Sequence, residues 1–137
     1  MINNVANRAA AVLYAEHSMK NAFSPVVKVT IRKNDTKFFG PGVAELLELI
    51  DSEGSVKDAC RAMGISYSKG RTILRRAEEM LGVTLFTIQH GGLGGGAAAL
   101  TDSARSIVSS YKAFEKDVKN YAHDSFVRFF PEDPKLL

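Results

Sequence analysis

SVKDACRAMGISYSKGRTILRRAEEML, residues 55–81, divides at Gly64 into two amphipathic halves. Ser55, with Asp58 three residues on, approximates a capping box, and Val56, Ala59, Cys60 and Met63 then share one helical face. Gly64 stands where a helix closes in the left-handed conformation, and Ser66 caps the helix that follows. In that second helix Gly70, Leu74, Ala77 and Leu81 form the inner face, with Ile73 and Met80 beside it. Two helices joined by MGIS, the second longer and basic, describe a helix-turn-helix. In that motif the second helix enters the DNA major groove and its N-terminal half meets base edges.

The rest of this helix, 66–81, supports the same reading. With Leu74, Ala77 and Leu81 inward, Tyr67, Ser68, Arg71, Thr72 and Arg75 share the other side. From Ser66 to Arg76 there are four basic residues, Lys69, Arg71, Arg75 and Arg76, and no acidic one; Glu78 and Glu79 come only in the far half. Arg holds a guanine edge through two hydrogen bonds, while Lys, Ser, Thr and Tyr reach phosphates. A solvated cationic face is the plainer reading of such a helix taken alone. The segments around it favour DNA.

Upstream, GPGVAELLELIDSEG (40–54) has Pro41 in a first-turn position, Val43, Leu46, Leu47 and Ile50 on one face, and Gly54 at its end, which predicts a third helix. Before it, SPVVKVTIRK (24–33) alternates Val27, Val29 and Ile31 with Lys28, Thr30 and Arg32 and reads as a strand. KNDTK (33–37) is a turn after which FFG (38–40) can pair back. Downstream, VTLFTIQH (83–90) is β-branched and aromatic, again a strand.

HGGLGGGAAAL (90–100) follows, with five glycines among residues 91–96. A phosphate loop needs GxxxxGK[ST], and no Lys-Ser or Lys-Thr closes this run. A dinucleotide site needs a helix opening at the glycines, whereas here AAAL intervenes and the next helix opens at Thr101. The glycines therefore join two strands as a wing, over 90–97, behind the second helix of the motif. A tip with almost no side chains brings backbone N–H groups close to a phosphate. The expected DNA contacts are Ser66, Tyr67, Ser68, Lys69, Arg71, Thr72, Arg75 and Arg76 of the helix and His90, Gly92, Gly94 and Gly95 of the wing.

Over roughly residues 38–120, the pieces GISYSKG, LGVTLF, GGLGGGA and the LT that follows resemble the DNA-binding domain of molybdate-responsive transcriptional regulators. More distantly they are similar to the winged helix-turn-helix of LysR-type regulators. The resemblance implies a dimeric DNA-binding regulator whose helix and wing touch operator DNA. It departs at Arg71, where such proteins often carry an aromatic residue, and at Leu93, where they often carry Lys, so a phosphate contact at the tip is removed. No molybdate-binding domain is expected in this chain, and effector binding is not carried over.

From Thr101, which caps it, TDSARSIVSSYKAFEKDVKNYA predicts a long helix over 101–123. Ala104, Ile107, Tyr111, Phe114, Val118 and Tyr121 recur at alternating spacings of 3 and 4, the pattern of a helix–helix seam. Ile107, Tyr111, Phe114, Val118 and Tyr121 are the expected homodimer interface; packing on the chain's own domain is the competing use, and the two combine if the first positions pack inward and the later ones on a partner chain. The domain scheme is an extension, 1–24, helical or disordered, with Val5, Ala9, Val12, Met19 and Phe23 loosely on one side; the DNA-binding domain, 25–100; the dimerisation helix, 101–123; and an aromatic, Pro-broken tail, 124–137. The fold class is mainly α with a small β-hairpin, a winged helix-turn-helix with a long C-terminal dimerisation helix.

Composition fits a globular chain. Of 137 residues 45% are hydrophobic and 24% charged, with a net charge of +3 that suits an anionic partner without proving one. One cysteine, Cys60, excludes an intrachain disulfide and fits a reducing compartment; it reads as a core residue rather than a thiol sensor. AAAVLYA (9–15) is too short for a bilayer, which needs ~20 apolar residues, so a cytoplasmic location is expected. His17, His90 and His123 have no metal-ligand spacing, and no catalytic constellation is visible; no enzyme, metal or cofactor is expected. Two other function classes compete with a regulator binding double-stranded DNA. One is a winged-helix protein-interaction module using the basic face or Phe126, Phe129 and Phe130; the acid-free helix argues against it. The other is a nucleotide-binding enzyme, which the glycine spacing disfavours.

Overall fold

The computed structural model describes residues 23–89 and 96–130. The expected N-terminal extension up to residue 22, the wing residues His90, Gly92, Gly94 and Gly95, and the last residues of the tail lie outside them. The described residues are mainly helical with small antiparallel hairpins. In order they form β1 (Ile31–Lys33), β2 (Thr36–Phe39), α1 (Pro41–Glu53), α2 (Val56–Met63), α3 (Tyr67–Leu81), β3 (Phe86–Gln89), β4 (Ala97–Leu100) and α4 (Asp102–Phe129). Among them no helix is long and apolar enough to cross a membrane. The chain gathers into two compact units, one spanning Lys28–Phe114 and the other including α4 from Glu115 onward.

Local chemistry fixes the ends of the three central helices. Pro41 starts α1, where its missing N–H costs no hydrogen bond. The Ser55 and Ser66 hydroxyls accept from the amides of Asp58 and Lys69, satisfying donors that a helix start leaves unpaired. Gly54, Gly64 and Gly82 close the three helices, each at φ 71°. A side chain at that φ is strained, so these turns are encoded residue by residue. The faces that these caps position meet in one core. Leu46, Leu47, Ile50, Cys60, Leu74 and Leu85 are all but inaccessible to solvent, and Ala59 and Ala77 fill the gaps between helices. Each large aliphatic side chain so buried contributes about 1.5–3 kcal/mol. Val43, Met63 and Leu81, expected inside, are only partly covered.

Residues 24–30, which the alternation predicts as part of a strand, form no regular element; β1 is only Ile31–Lys33. Its partner β2 ends at Phe39, one residue before Gly40 caps α1, so nothing pairs with the earlier residues. Asn34 and Asp35 make the turn with φ of 49° and 64°, the left-handed conformation a two-residue hairpin requires and these two residue types tolerate.

The first half of α4 completes the core. Thr101 caps it, accepting from the Ala104 amide at 3.1 Å while donating to the Thr84 carbonyl at 2.7 Å. Ala104, Val108 and Tyr111 face inward. The Tyr111 hydroxyl donates to the Val29 carbonyl at 2.8 Å, and its ring meets Phe39 edge-on at 5.1 Å. The spacing along this helix places Tyr111 at a dimer seam; its side chain is instead 3% exposed and used by its own domain. The helix also outruns its expected end at 123 and continues to Phe129. No Gly or Pro interrupts the sequence before Pro131, so nothing local stops it. In the unit that includes α4 from Glu115 onward, Lys119 pairs with Glu115, Arg128 lies 5.9 Å over the Tyr121 ring, and Phe126 stacks on Phe130.

Candidate nucleic-acid interface

Successive residues turn by about 100° around a helix, so α3 presents its polar residues as an arc opposite buried Gly70, Leu74 and Ala77. Ser68, Thr72 and Arg75 occupy the middle of that arc and are exposed. The Thr72 hydroxyl donates back to the Ser68 carbonyl at 3.0 Å, leaving its oxygen free to accept. Ser66 is used as the cap; its proton remains available to a phosphate.

The basic residues, expected as one set, fall on two flanks. Arg71 sits beside the β3–β4 hairpin, its guanidinium 5.2 Å above the ring of Phe86, the first residue of β3. Stacking on an aromatic face holds the planar group in place without consuming its donors. Tyr67, 49% exposed, lies on the same side by spacing. Lys69 and Arg76 lie on the opposite flank, where with Lys28 and Lys37 they line a groove under the β1–β2 hairpin. Hairpin lysines are absent from the contacts that the sequence alone suggests. A signal for them exists, since Lys28, Arg32, Lys33 and Lys37 stand close together with only Asp35 to offset them.

Both ends of α3 are held. Near its C-terminus Lys33 donates to the Met80 carbonyl at 3.1 Å, satisfying an acceptor the helix leaves open. The Glu78 carboxylate, which the sequence marks only as an acidic residue in the far half, accepts from the Leu85 amide at 3.1 Å and fixes the turn into β3.

The β3–β4 hairpin runs in regular antiparallel register from Phe86 opposite Leu100 to Gln89 opposite Ala97. Its base is anchored, with the Ala98 amide donating to the Gly54 carbonyl at 2.8 Å and that of Thr101 to the Leu85 carbonyl at 3.0 Å. Gly96 needs to be glycine, because a Cβ there would meet Ile88 Cγ2 at 2.5 Å. Of the expected interface residues on α4, Phe114 and Tyr121 are 51% and 67% exposed, and Ile107 and Val118 are half-buried.

The chain matches no protein-family model. It is 30% identical over 89 residues to the molybdenum-pterin-binding protein MopB of Rhodobacter capsulatus, an alignment covering 65% of this chain and 33% of that protein. It is 34% identical over 70 residues to the molybdenum transport protein ModE of Azotobacter vinelandii, covering 51% of this chain and 26% of that one. The chain thus spans a third or less of the length of these curated relatives.

Proposed function

We propose that this chain is a DNA-binding transcriptional regulator of winged helix-turn-helix build, acting as a homodimer and without enzymatic chemistry. The observation that carries the reading is the arc of α3: exposed Ser68, Thr72 and Arg75, flanked by Arg71 braced on Phe86 of the adjoining hairpin, with no acidic residue before Glu78. Arg75 and its neighbours read base edges; Arg71 spans the step from helix to wing; the wing meets a phosphate strand. Similarity to two molybdenum proteins supports the motif-based resemblance to molybdate-responsive regulators. No molybdenum ligand is assigned to these residues.

The test is a set of binding isotherms on a duplex selected from a random library and on a scrambled one. Wild type should bind with a log K against log salt slope of about −4 to −7, corresponding to about four to eight phosphates per dimer. Arg75→Ala should weaken the selected duplex by about 1–3 kcal/mol and the scrambled one far less. Equal weakening of both would make Arg75 a phosphate clamp. A flat salt response of the wild type would refute DNA binding and favour a protein-docking role for the same face.

A further inference from the structure

The groove on the far flank of α3 has a volume of about 360 Å³. Its floor is apolar, with Phe38, Met63 and Ile73, and its rim carries Lys28 from the segment leading into β1, Lys37 from β2, and Lys69 and Arg76 from α3. No carboxylate lines it. All four cationic side chains are exposed, so their stems cover the floor while their heads reach water. Several other basic residues of the same unit are engaged: Arg61 with Asp58, Arg105 with Asp51, Lys112 with Glu48, and Lys33 with the Met80 carbonyl. The four groove cations have no ion pair among the described residues.

Four positive charges gathered without a counter-charge suit a polyanion better than a small anion, which would neutralise one or two of them. The position of the groove specifies the polyanion further. A helix with its side chains is about 10–12 Å across. The major groove is about 12 Å wide, so a helix seated there has a phosphate strand along each flank. Lys69 and Arg76 lie two turns apart, about 10 Å along the helix, and so track the flank rather than a point on it. Phe86, the first residue of the β3–β4 hairpin, stands on the other flank, beneath Arg71.

We infer that the β1–β2 hairpin and the segment leading into it are a second phosphate-strand contact: Lys28 and Lys37, with Lys69 and Arg76, hold one DNA backbone while the Arg71 flank faces the other. The inference rests on the DNA reading of α3. It is tested by isotherms of the full chain, at several salt concentrations, on the selected and scrambled duplexes. Lys28→Ala/Lys37→Ala should weaken both duplexes alike and flatten the log–log slope by about 0.9 for each phosphate no longer neutralised, so by about 1–2 for each protomer engaged. Lys28→Arg/Lys37→Arg should keep the wild-type slope, and Lys116→Ala, which removes an exposed charge elsewhere, should change nothing. If the wild type binds with its steep slope and the double alanine variant binds identically, the groove assignment is overturned while the reading of α3 stands. Weakening confined to the selected duplex would overturn it too, since the lysines would then be reading bases. A wild type without salt-dependent binding overturns the DNA reading, and the groove with it.

Discussion

Gly70 lies in the first turns of α3 against α2, and a methyl group added there would collide with the Sγ of Cys60. Ile65 Cδ1, at 3.7 Å, and Cys60 Cβ, at 3.8 Å, close off the other directions. On an isolated helix Gly70→Ala would stabilise by about 1 kcal/mol. Here Cys60 is 1% exposed and cannot swing into solvent, so the substitution overpacks the joint. Overpacking costs typically about 1–3 kcal/mol, and backbone displacement puts this case at the upper end. The net expected destabilisation is about 1–2 kcal/mol. Cys60→Ala alone leaves a hole the size of one atom, costing about 1 kcal/mol. In the double variant the new methyl fills the space the sulfur leaves, both penalties disappear and the helical preference of Ala remains. The coupling energy should therefore be about 3–4 kcal/mol, at or just beyond the top of the range for neighbouring residues. Urea unfolding of the four proteins, at constant m-value, measures it. Additivity within about 0.5 kcal/mol would refute the argument, because it would mean that the two helices are not held at this spacing. DNA affinity should follow stability: reduced in Gly70→Ala, restored in the pair.

Phe114→Asp places a charge at an exposed aromatic position of α4 and should convert the proposed dimer to monomer in light scattering; a wild type that is already monomeric would refute the seam. By contrast, Tyr111→Phe should leave assembly unchanged and lower stability by about 1–3 kcal/mol, because the Val29 carbonyl is left without its buried donor. Burial raises the pKa of the Cys60 thiol, so the folded chain holds this proton more tightly than the unfolded one. That contribution is complete below the unfolded thiol pKa of about 8.5 and is lost as pH rises past it. Alkylation of the folded protein at pH 8 should accordingly be slow, with Cys60 reacting at the rate of unfolding; rapid labelling would show the joint to be open.

The central helices are legible in the sequence because their determinants are local. Ser55 and Ser66 cap, glycines at 54, 64 and 82 stop, and apolar spacing marks the inner face in between. The β3–β4 pairing is legible from the change of period after Gly82. What escapes depends on partners distant in sequence. A spacing of 3 and 4 along α4 states that a face is covered and not by what, so Tyr111 reads as a seam residue although Phe39 and Val29 cover it. Counting charges on α3 likewise yields one basic face. Helical spacing separates Arg71 from Lys69 and Arg76, but only the fold shows what each flank faces, Phe86 on one side and the β1–β2 hairpin on the other.

The hydrogen bond from Tyr111 to Val29 joins residues 82 positions apart. At translation rates of about 5–20 residues per second, roughly 4 to 16 s separate the synthesis of its two ends. Throughout that interval residues 31–39 are present without the helix whose Tyr111 meets Phe39. An uncovered strand edge is a template on which chains can pair, and shortness and charge, Lys above all, are what blunt it. Residues 31–39 hold strands of three and four residues, and Lys28, Arg32, Lys33 and Lys37 put four positive charges in and beside them, so two such ribbons repel. Neutralising these four charges should therefore lower the yield of folded protein even where its final stability is untouched, a cost separate from any loss of DNA contact.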